Sequence, residues 1–326
     1  MSAMVFDAPP AQVTHAWMPS SPCGPGCIEA IDQVGTARVA VRLVRIVGLL
    51  VSFPVAHVLT PLRWRTGLQR RYAGMLLRSL GIRLRVIDNR TDRVDSGALV
   101  VIGHIGWTDI VALSAVRPLG FVARADMVEW PLIGGLAKLL RVIPIEREKL
   151  RELPGVVAEL GARLAAGEQV AAFPEGTTWC GRAYGTMRPA LFQAAIDAGV
   201  PVQPVRLRYL DRHGVQTTVP GFVGVDTFAT SAGRVLRSRG MVVEIALQPL
   251  ELPGEDRREL ARRAQRAVHG VEPIRRDQHG YGWIEATATK VRDPESGAVA
   301  EPAVRRPRRR LLPGRRVRGG EHAALS

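Results

Sequence analysis

The chain has 326 residues, 46% of them hydrophobic and 23% charged, enough for one large α/β domain with extensions or for two smaller domains. Its formal net charge of +15 favours an anionic partner, either nucleic acid or an acidic membrane surface. Aromatic residues are only 5%, and zinc-finger spacing, an aromatic RNA-binding strand pair and a basic zipper are all missing, so no nucleic-acid partner is expected.

Residues 1–33 are rich in Pro, Ser, Gly and Ala and read as a flexible lead. They contain CGPGC, with Cys23 and Cys27 at its ends. A second ligand pair is missing, so the motif reads as a flexible turn rather than a metal or redox site, and Cys180 reads as a bystander. An odd, sparse cysteine count argues against a disulfide framework and for a reducing compartment. No basic segment followed by an apolar one opens the chain, so no secretory signal is expected.

Residues 34–80 read as a membrane-associated helical segment. Between Arg45 and Arg63 lie seventeen residues without Asp, Glu, Lys or Arg. Spanning a bilayer takes roughly 20 apolar residues. Pro54 is expected to kink or break the helix, and arginines stand at both ends. The pattern predicts a bent, membrane-embedded helical hairpin that enters and leaves on one face.

From residue 81 the pattern changes. GIRLRVID alternates as a strand does, and ALVVIG is a short buried strand. A helix begins near Thr108. FVARAD reads as a strand, WPLIGGLAKLL as a helix, RVIPIER as a strand, and ELPGVVAELGARLAAG as a helix stopped by Gly167. EQVAAFPEGT is a strand, RPALFQAAIDAG a helix stopped by Gly199, and VPVQPVRLRYL and MVVEIALQPL are strands. The alternation predicts an α/β domain over residues 81–275, a mixed sheet flanked by helices. Residues 276–326 carry VRRPRRRLLPGRRVRGG, whose eight arginines suit a disordered basic tail able to dock on anionic lipid.

Chemistry gathers where strands end. His104 follows ALVVIG directly, and Asp109 lies five residues on. On one straight helix they would point about 140° apart. A turn through Gly106 ahead of the helix lets the carboxylate fold back onto the ring. The carboxylate then fixes the tautomer, and the other ring nitrogen can take a proton from a hydroxyl. Such a dyad carries no nucleophile of its own and can activate an alcohol belonging to a substrate.

Four blocks, HIGWTD, VIPIER, FPEGTT and VPVQPV, occur in this order over about a third of the chain. In order and spacing they resemble the motif blocks of the glycerolipid acyltransferases, whose best-known members are the 1-acylglycerol-3-phosphate acyltransferases. The resemblance implies transfer of a fatty acyl group from a thioester, acyl-CoA or acyl-carrier protein, to the free hydroxyl of a lysolipid. It implies His104 as general base and Asp109 as its orienting partner. Arg147 would hold the acceptor's polar head, Glu175, Gly176 and Thr177 would belong to the acceptor site, and Pro204 would lie near the acyl groove. Neither a metal nor a cofactor beyond the acyl donor is implied. A thioester is already activated, so the protein has to supply a base and oxyanion donors; backbone N–H groups near Gly106 or Gly176 are candidates. The membrane segment suits a monotopic or peripheral enzyme on the cytoplasmic face of the cell membrane.

Members that form phosphatidic acid usually carry arginine at the sixth place of the third block; here that place is Thr178. An arginine fork suits a phosphate head group. Arg182 and Arg188 are candidates to replace it, which keeps 1-acylglycerol-3-phosphate as the first expectation for the acceptor. The blocks also look like those of lyso-ornithine lipid acyltransferases, whose acceptor has no phosphate. Two other readings stand beside these: a membrane-binding protein that keeps the fold without the activity, and a thioesterase using the same dyad on water.

Overall fold

The computed structural model describes residues 19–92, 97–125, 141–146 and 149–270. The helix expected at WPLIGGLAKLL, Arg147, the first eighteen residues and the basic tail lie outside these. Seven strands form one sheet: β1 (Ile82–Asp88), β2 (Ala98–Ile102), β3 (Gly120–Arg124), β4 (Val142–Ile145), β5 (Gln169–Ala172), β6 (Val202–Leu210) and β7 (Met241–Leu247). Their order is β1-β7-β6-β2-β5-β3-β4, parallel throughout except for the β6–β7 pair. The sheet is thus mixed, as the alternating sequence predicts.

The described helices are α1 (Thr36–Leu59), α2 (Leu62–Ser79), α3 (Thr108–Val116), α4 (Leu153–Ala165), α5 (Phe192–Asp197), α6 (Phe228–Arg237) and α7 (Arg257–His269). Every residue of β2 is buried, because helices cover both faces of the central strands. One core packs α2 and α3 against one face of the sheet, through Leu77, Leu113 and Tyr209. The other packs α4, α5 and α7 against the opposite face, through Leu160, Phe192 and Leu260. Gly167 and Gly199 follow α4 and α5 with φ of +84° and +62°, backbone that favours glycine and ends each helix.

Two registers position the site. Val101 of β2 stands opposite Ala172 of β5, so the two strands end level, one at Gly103–His104 and the other at Phe173–Glu175. On its other side β2 pairs with β6 only as far as Ile102 opposite Val205. Strand β6 runs on to Leu210, so its second half stands beyond the end of β2; β7 pairs with one side of it, and on the other its last residues meet the loop at Gln216–Thr217.

The N-terminal third departs from expectation in two ways. Helix α1 runs unbroken through Pro54, and the chain reverses at Thr60–Pro61 instead. A proline removes one backbone donor, and α1 absorbs that loss within its last two turns. The second arm, α2, carries Arg63, Arg65, Arg70, Arg71 and Arg78 and packs on α3 and β1, so the apolar arm is α1 alone. Val44, Val47, Val51, Val55 and Val58 form an exposed stripe along it. At 24 residues and a mean hydropathy of 2.0 over its most apolar stretch, it is the one described helix long and apolar enough to cross a membrane. Its base is tied down by Arg42, buried, which donates to the carbonyls of Leu236 (2.6 Å) and Ser238 (2.8 Å) at the end of α6.

The second departure concerns residues 19–34, which dock on the domain rather than hanging free. Val34 N–H donates to the Arg237 carbonyl at 2.8 Å, and Glu29 N–H to Thr218 Oγ1 at 2.9 Å. CGPGC forms a short 3-10 turn, Pro25–Cys27, with Cys23 buried beneath it. Composition identifies a loop, but it does not reveal where the loop lies.

Candidate active site

The carboxylate of Asp109 does fold back. After β2 the chain turns through Gly103–Trp107 before α3 starts at Thr108, and the turn wraps round the carboxylate. Asp109 Oδ2 lies 2.9 Å from His104 Nδ1 and accepts from the N–H groups of Ile105 (2.7 Å) and Gly106 (2.9 Å). Oδ1 accepts from the Tyr209 hydroxyl at 2.9 Å, and that hydroxyl meets Thr108 Oγ1 at 2.7 Å. Asp109 and Tyr209 are both wholly buried. Burial, then the neighbouring Asp109 charge, holds the Tyr209 phenol well above its usual range, so it stays a donor. A buried carboxylate needs such partners on both oxygens. Because a carboxylate only accepts, Nδ1 is the protonated nitrogen of His104, and Nε2 is left to accept.

Glu175, at the end of β5, supports the other side. Its Oε2 accepts from His104 N–H at 3.2 Å, and Trp179 N–H donates to the His104 carbonyl at 2.7 Å. Phe173 stacks on the His104 ring, with centroids 4.0 Å apart and planes 24° apart. Glu175 Oε1 faces His269 Nε2 at 2.9 Å, close enough for an ion pair but off the line of a hydrogen bond. His269 closes α7 and stacks on Tyr184, centroids 4.0 Å apart and nearly parallel. Its ring lies over Gly103, where a Cβ would come within 2.8 Å of His269 Cε1.

A cleft of about 600 Å³ opens over this cluster, with Arg182, Arg206 and Arg208 in its walls. Two of these arginines are engaged. Arg182 pairs with Glu29, and Arg208 pairs with Glu244, which Arg85 also meets at 3.2 Å. Hydrogen bonding to Arg208, opposed by burial, leaves the Glu244 carboxyl below its ordinary range. Arg206 has no hydrogen-bond or ion-pair partner among the described residues.

The other sequence candidates fall around the cleft. Gly176, φ +75°, turns the chain after Glu175, and a Cβ there would meet Pro19 Cγ at 2.6 Å. Thr177 is half-buried in the same turn. Arg188 is exposed and outside the cleft lining, although its N–H donates to the Pro174 carbonyl at 2.9 Å. Pro204 is buried within β6 opposite Val101, below the cleft floor. Thr178 turns away and donates to the Phe222 carbonyl. Near the two glycines, where oxyanion donors are expected, the glycines' own N–H groups are already engaged: Gly106 N–H by Asp109, and Gly176 N–H by the Phe173 carbonyl at 3.0 Å.

Sequence reading passed over Tyr209, Arg206 and His269. The first two sit on β6, where alternation puts Arg206 and Arg208 on one face and Tyr209 on the other. For His269 a signal existed. RRELARRAQRAVHG repeats apolar residues at Leu260, Ala261, Ala264 and Val268, a helical period that ends in a histidine and a glycine.

Residues 83–208 match the family model named Acyltransferase. Over 242 residues the chain is 36% identical to the lyso-ornithine lipid O-acyltransferase of Pseudomonas aeruginosa, covering 74% of this chain and 91% of that one. The chain belongs to the acyltransferase family. It is also 33% identical over 150 residues to the 1-acyl-sn-glycerol-3-phosphate acyltransferase of Neisseria gonorrhoeae, covering 46% of this chain and 58% of that enzyme. The solved 1-acyl-sn-glycerophosphate acyltransferase of Thermotoga maritima aligns with a TM-score of 0.49 at 17% identity, over 76% of this chain and 98% of that one. The acyltransferase assignment makes this chain an enzyme of lipid biosynthesis, with a lysolipid acceptor and an acyl donor.

Proposed function

We propose that this acyltransferase moves a fatty acyl group from acyl-CoA or acyl-carrier protein to the hydroxyl of a lysolipid, with His104 as general base. The observation that carries the reading is the His104–Asp109 contact at 2.9 Å, with Nε2 left to accept at the cleft. The acceptor hydroxyl gives its proton to Nε2 as its oxygen attacks the thioester carbonyl. The tetrahedral adduct collapses, the carbon–sulfur bond breaks, and the departing thiolate takes the proton back from the imidazolium. The new ester and the free thiol balance the reaction. Asp109 steadies the transient imidazolium. Glu175 holds the His104 backbone and His269 braces Glu175, so both position rather than react.

For the acceptor, two features favour lyso-ornithine lipid over 1-acylglycerol-3-phosphate, the first expectation from sequence. The similarity to the Pseudomonas enzyme spans nearly all of that protein, and Thr178 offers the cleft no cation. Arg206 keeps the second acceptor open, because a lone guanidinium serves a phosphate as well as an ornithine carboxylate. Beyond Arg45, α1 runs through residues 46–59 without a charged side chain, about 21 Å at 1.5 Å per residue and short of the roughly 30 Å hydrocarbon core. We place this part of α1 in the bilayer, dipping in from one side, with the domain at the cytoplasmic face.

The test is a panel assay in mixed micelles. Radiolabelled acyl-CoA is supplied with lyso-ornithine lipid, 1-acylglycerol-3-phosphate or a zwitterionic lysophospholipid, and His104→Ala serves as the control. Ornithine lipid is the expected main product. Phosphatidic acid as the main product would overturn the acceptor assignment and keep the reaction. Fatty-acid release that added lysolipid does not suppress would overturn the reaction itself. Full release of the protein from membranes by high salt would overturn the placement of α1.

A further inference from the structure

All three cysteines of the chain converge. The sulfurs of Cys23, Cys27 and Cys180 lie within 4.8 Å of one another, although Cys23 and Cys180 are 157 residues apart in sequence. The pair that spacing left without further ligands gains a third from the loop after the FPEGTT block. Three local features hold the sulfurs together. The Pro25–Cys27 turn closes with Cys27 N–H on the Gly24 carbonyl at 2.9 Å, which puts both ends of CGPGC on one side. Gly181, φ +93°, bends the chain directly after Cys180. Gly221 and Gly224 let a third segment approach: a Cβ at 221 would lie 3.1 Å from Ile28 Cδ1, and one at 224 would lie 3.2 Å from Gly24 Cα.

We propose that these three thiolates bind one zinc ion, a structural site that clamps the docked N-terminal segment to the wall of the cleft. Tetrahedral zinc with bonds of about 2.3 Å sets its sulfurs about 3.8 Å apart, so the cluster has to tighten by at most about an ångström. Binding replaces three S–H protons with three Zn–S bonds, and a water completes the tetrahedron on the side of Cys27, the half-buried member. The Cys180 N–H already points at Cys23 Sγ, 3.4 Å away, a hydrogen bond that steadies a sulfur ligand and its charge. An all-sulfur donor set selects a soft or borderline ion and rejects magnesium and calcium. The surrounding apolar cluster consists of little more than Ala183, Val223, Ile28 and Trp179. A metal gives this small cluster the holding power its area lacks. Because Trp179, Gly181 and Arg182 line the cleft on either side of Cys180, the ion would also stiffen the active-site loop.

The test uses untagged full-length protein in detergent, purified from cells grown with added zinc. About one zinc per chain should survive dialysis against a weak chelator. Replacement by cobalt(II) should give sulfur-to-cobalt charge-transfer absorption and the visible bands of a tetrahedral ion. Cys27→Ser, the least buried change, and Cys180→Ser should each lose the metal and the bands. Wild-type protein that retains neither ion overturns the proposal. So does zinc held equally by both variants, which would place it elsewhere, and so does a disulfide found in the intact mass. None of these readouts depends on acyl transfer.

Discussion

Replacing Asp109 by Asn tests the dyad sharply, because the surroundings dictate how the amide must sit. Ile105 and Gly106 both aim N–H groups at Oδ2, so an NH2 placed there would face two donors. The amide oxygen therefore takes the Oδ2 position and continues to accept from His104 Nδ1. The NH2 takes the Oδ1 position, and the Tyr209 hydroxyl turns to accept from it while donating to Thr108. Geometry and tautomer survive; only the negative charge is lost. A unit charge about 4 Å from the imidazolium at an effective dielectric near 20 interacts by about 4 kcal/mol, and the retained hydrogen bond offsets part of its loss. The expected effect is a kcat reduced about 10²- to 10³-fold, or about 2.7–4 kcal/mol in the barrier. Where the same substitution inverts the tautomer of a triad, the loss is about 10⁴-fold. The assay follows thiol release from acyl-CoA with saturating acceptor, alongside a thermal melt to verify folding. A folded variant with wild-type kcat would refute the role of the charge. A folded variant as inactive as His104→Ala would refute the argument about the tautomer.

Three further substitutions probe the surroundings. Arg206→Ala should raise the acceptor KM about 10- to 100-fold, the loss of one charged hydrogen bond, and leave the donor KM unchanged; a fall in kcat at constant KM would assign Arg206 to the transition state instead. Gly103→Ala drives a methyl into the His269 ring and should cost about 1–3 kcal/mol in urea unfolding; adding His269→Ala should recover much of that, and independent costs would show that the ring is not the obstacle. Glu244→Gln should destabilise by about 1–2 kcal/mol at neutral pH, a modest figure because both arginines are partly exposed. Since the folded Glu244 carboxyl titrates below its ordinary value, its contribution is complete above the unfolded pKa of about 4.3 and fades as pH falls through the folded one. Wild type and variant should therefore converge in acid, and a difference that persisted there would refute the assignment.

The parts legible in sequence were those written locally. ALVVIG, VPVQPVRLRYL and MVVEIALQPL declare strands by β-branched runs and alternation, and Gly167 and Gly199 declare helix ends by the backbone they adopt. The fold-back of Asp109 was legible because Gly106 and Thr108 mark a turn and a helix start within five residues. What escaped depends on contacts between distant segments. Nothing in CGPGC announces that Cys180 waits for it, and nothing near Arg42 announces carbonyls at Leu236 and Ser238. Pro54 misled because its cost was weighed without the rest of α1. Which N–H group near Gly106 or Gly176 would face an oxyanion was not legible, because sequence cannot say which N–H groups the fold has already used.

The overhang of β6 beyond β2 bears on how such an enzyme changes over generations. Of the residues beyond β2, Arg206, Leu207 and Arg208 line the cleft, and a changed side chain there leaves the β2 ladder below untouched. Most are still tied: Tyr209 serves Asp109, and Arg208 serves Glu244. Arg206 serves nothing within the described protein. If Arg206 reads the acceptor as proposed, a new head group can be tried at one side chain on a rigid strand while the His104–Asp109 pair is left untouched.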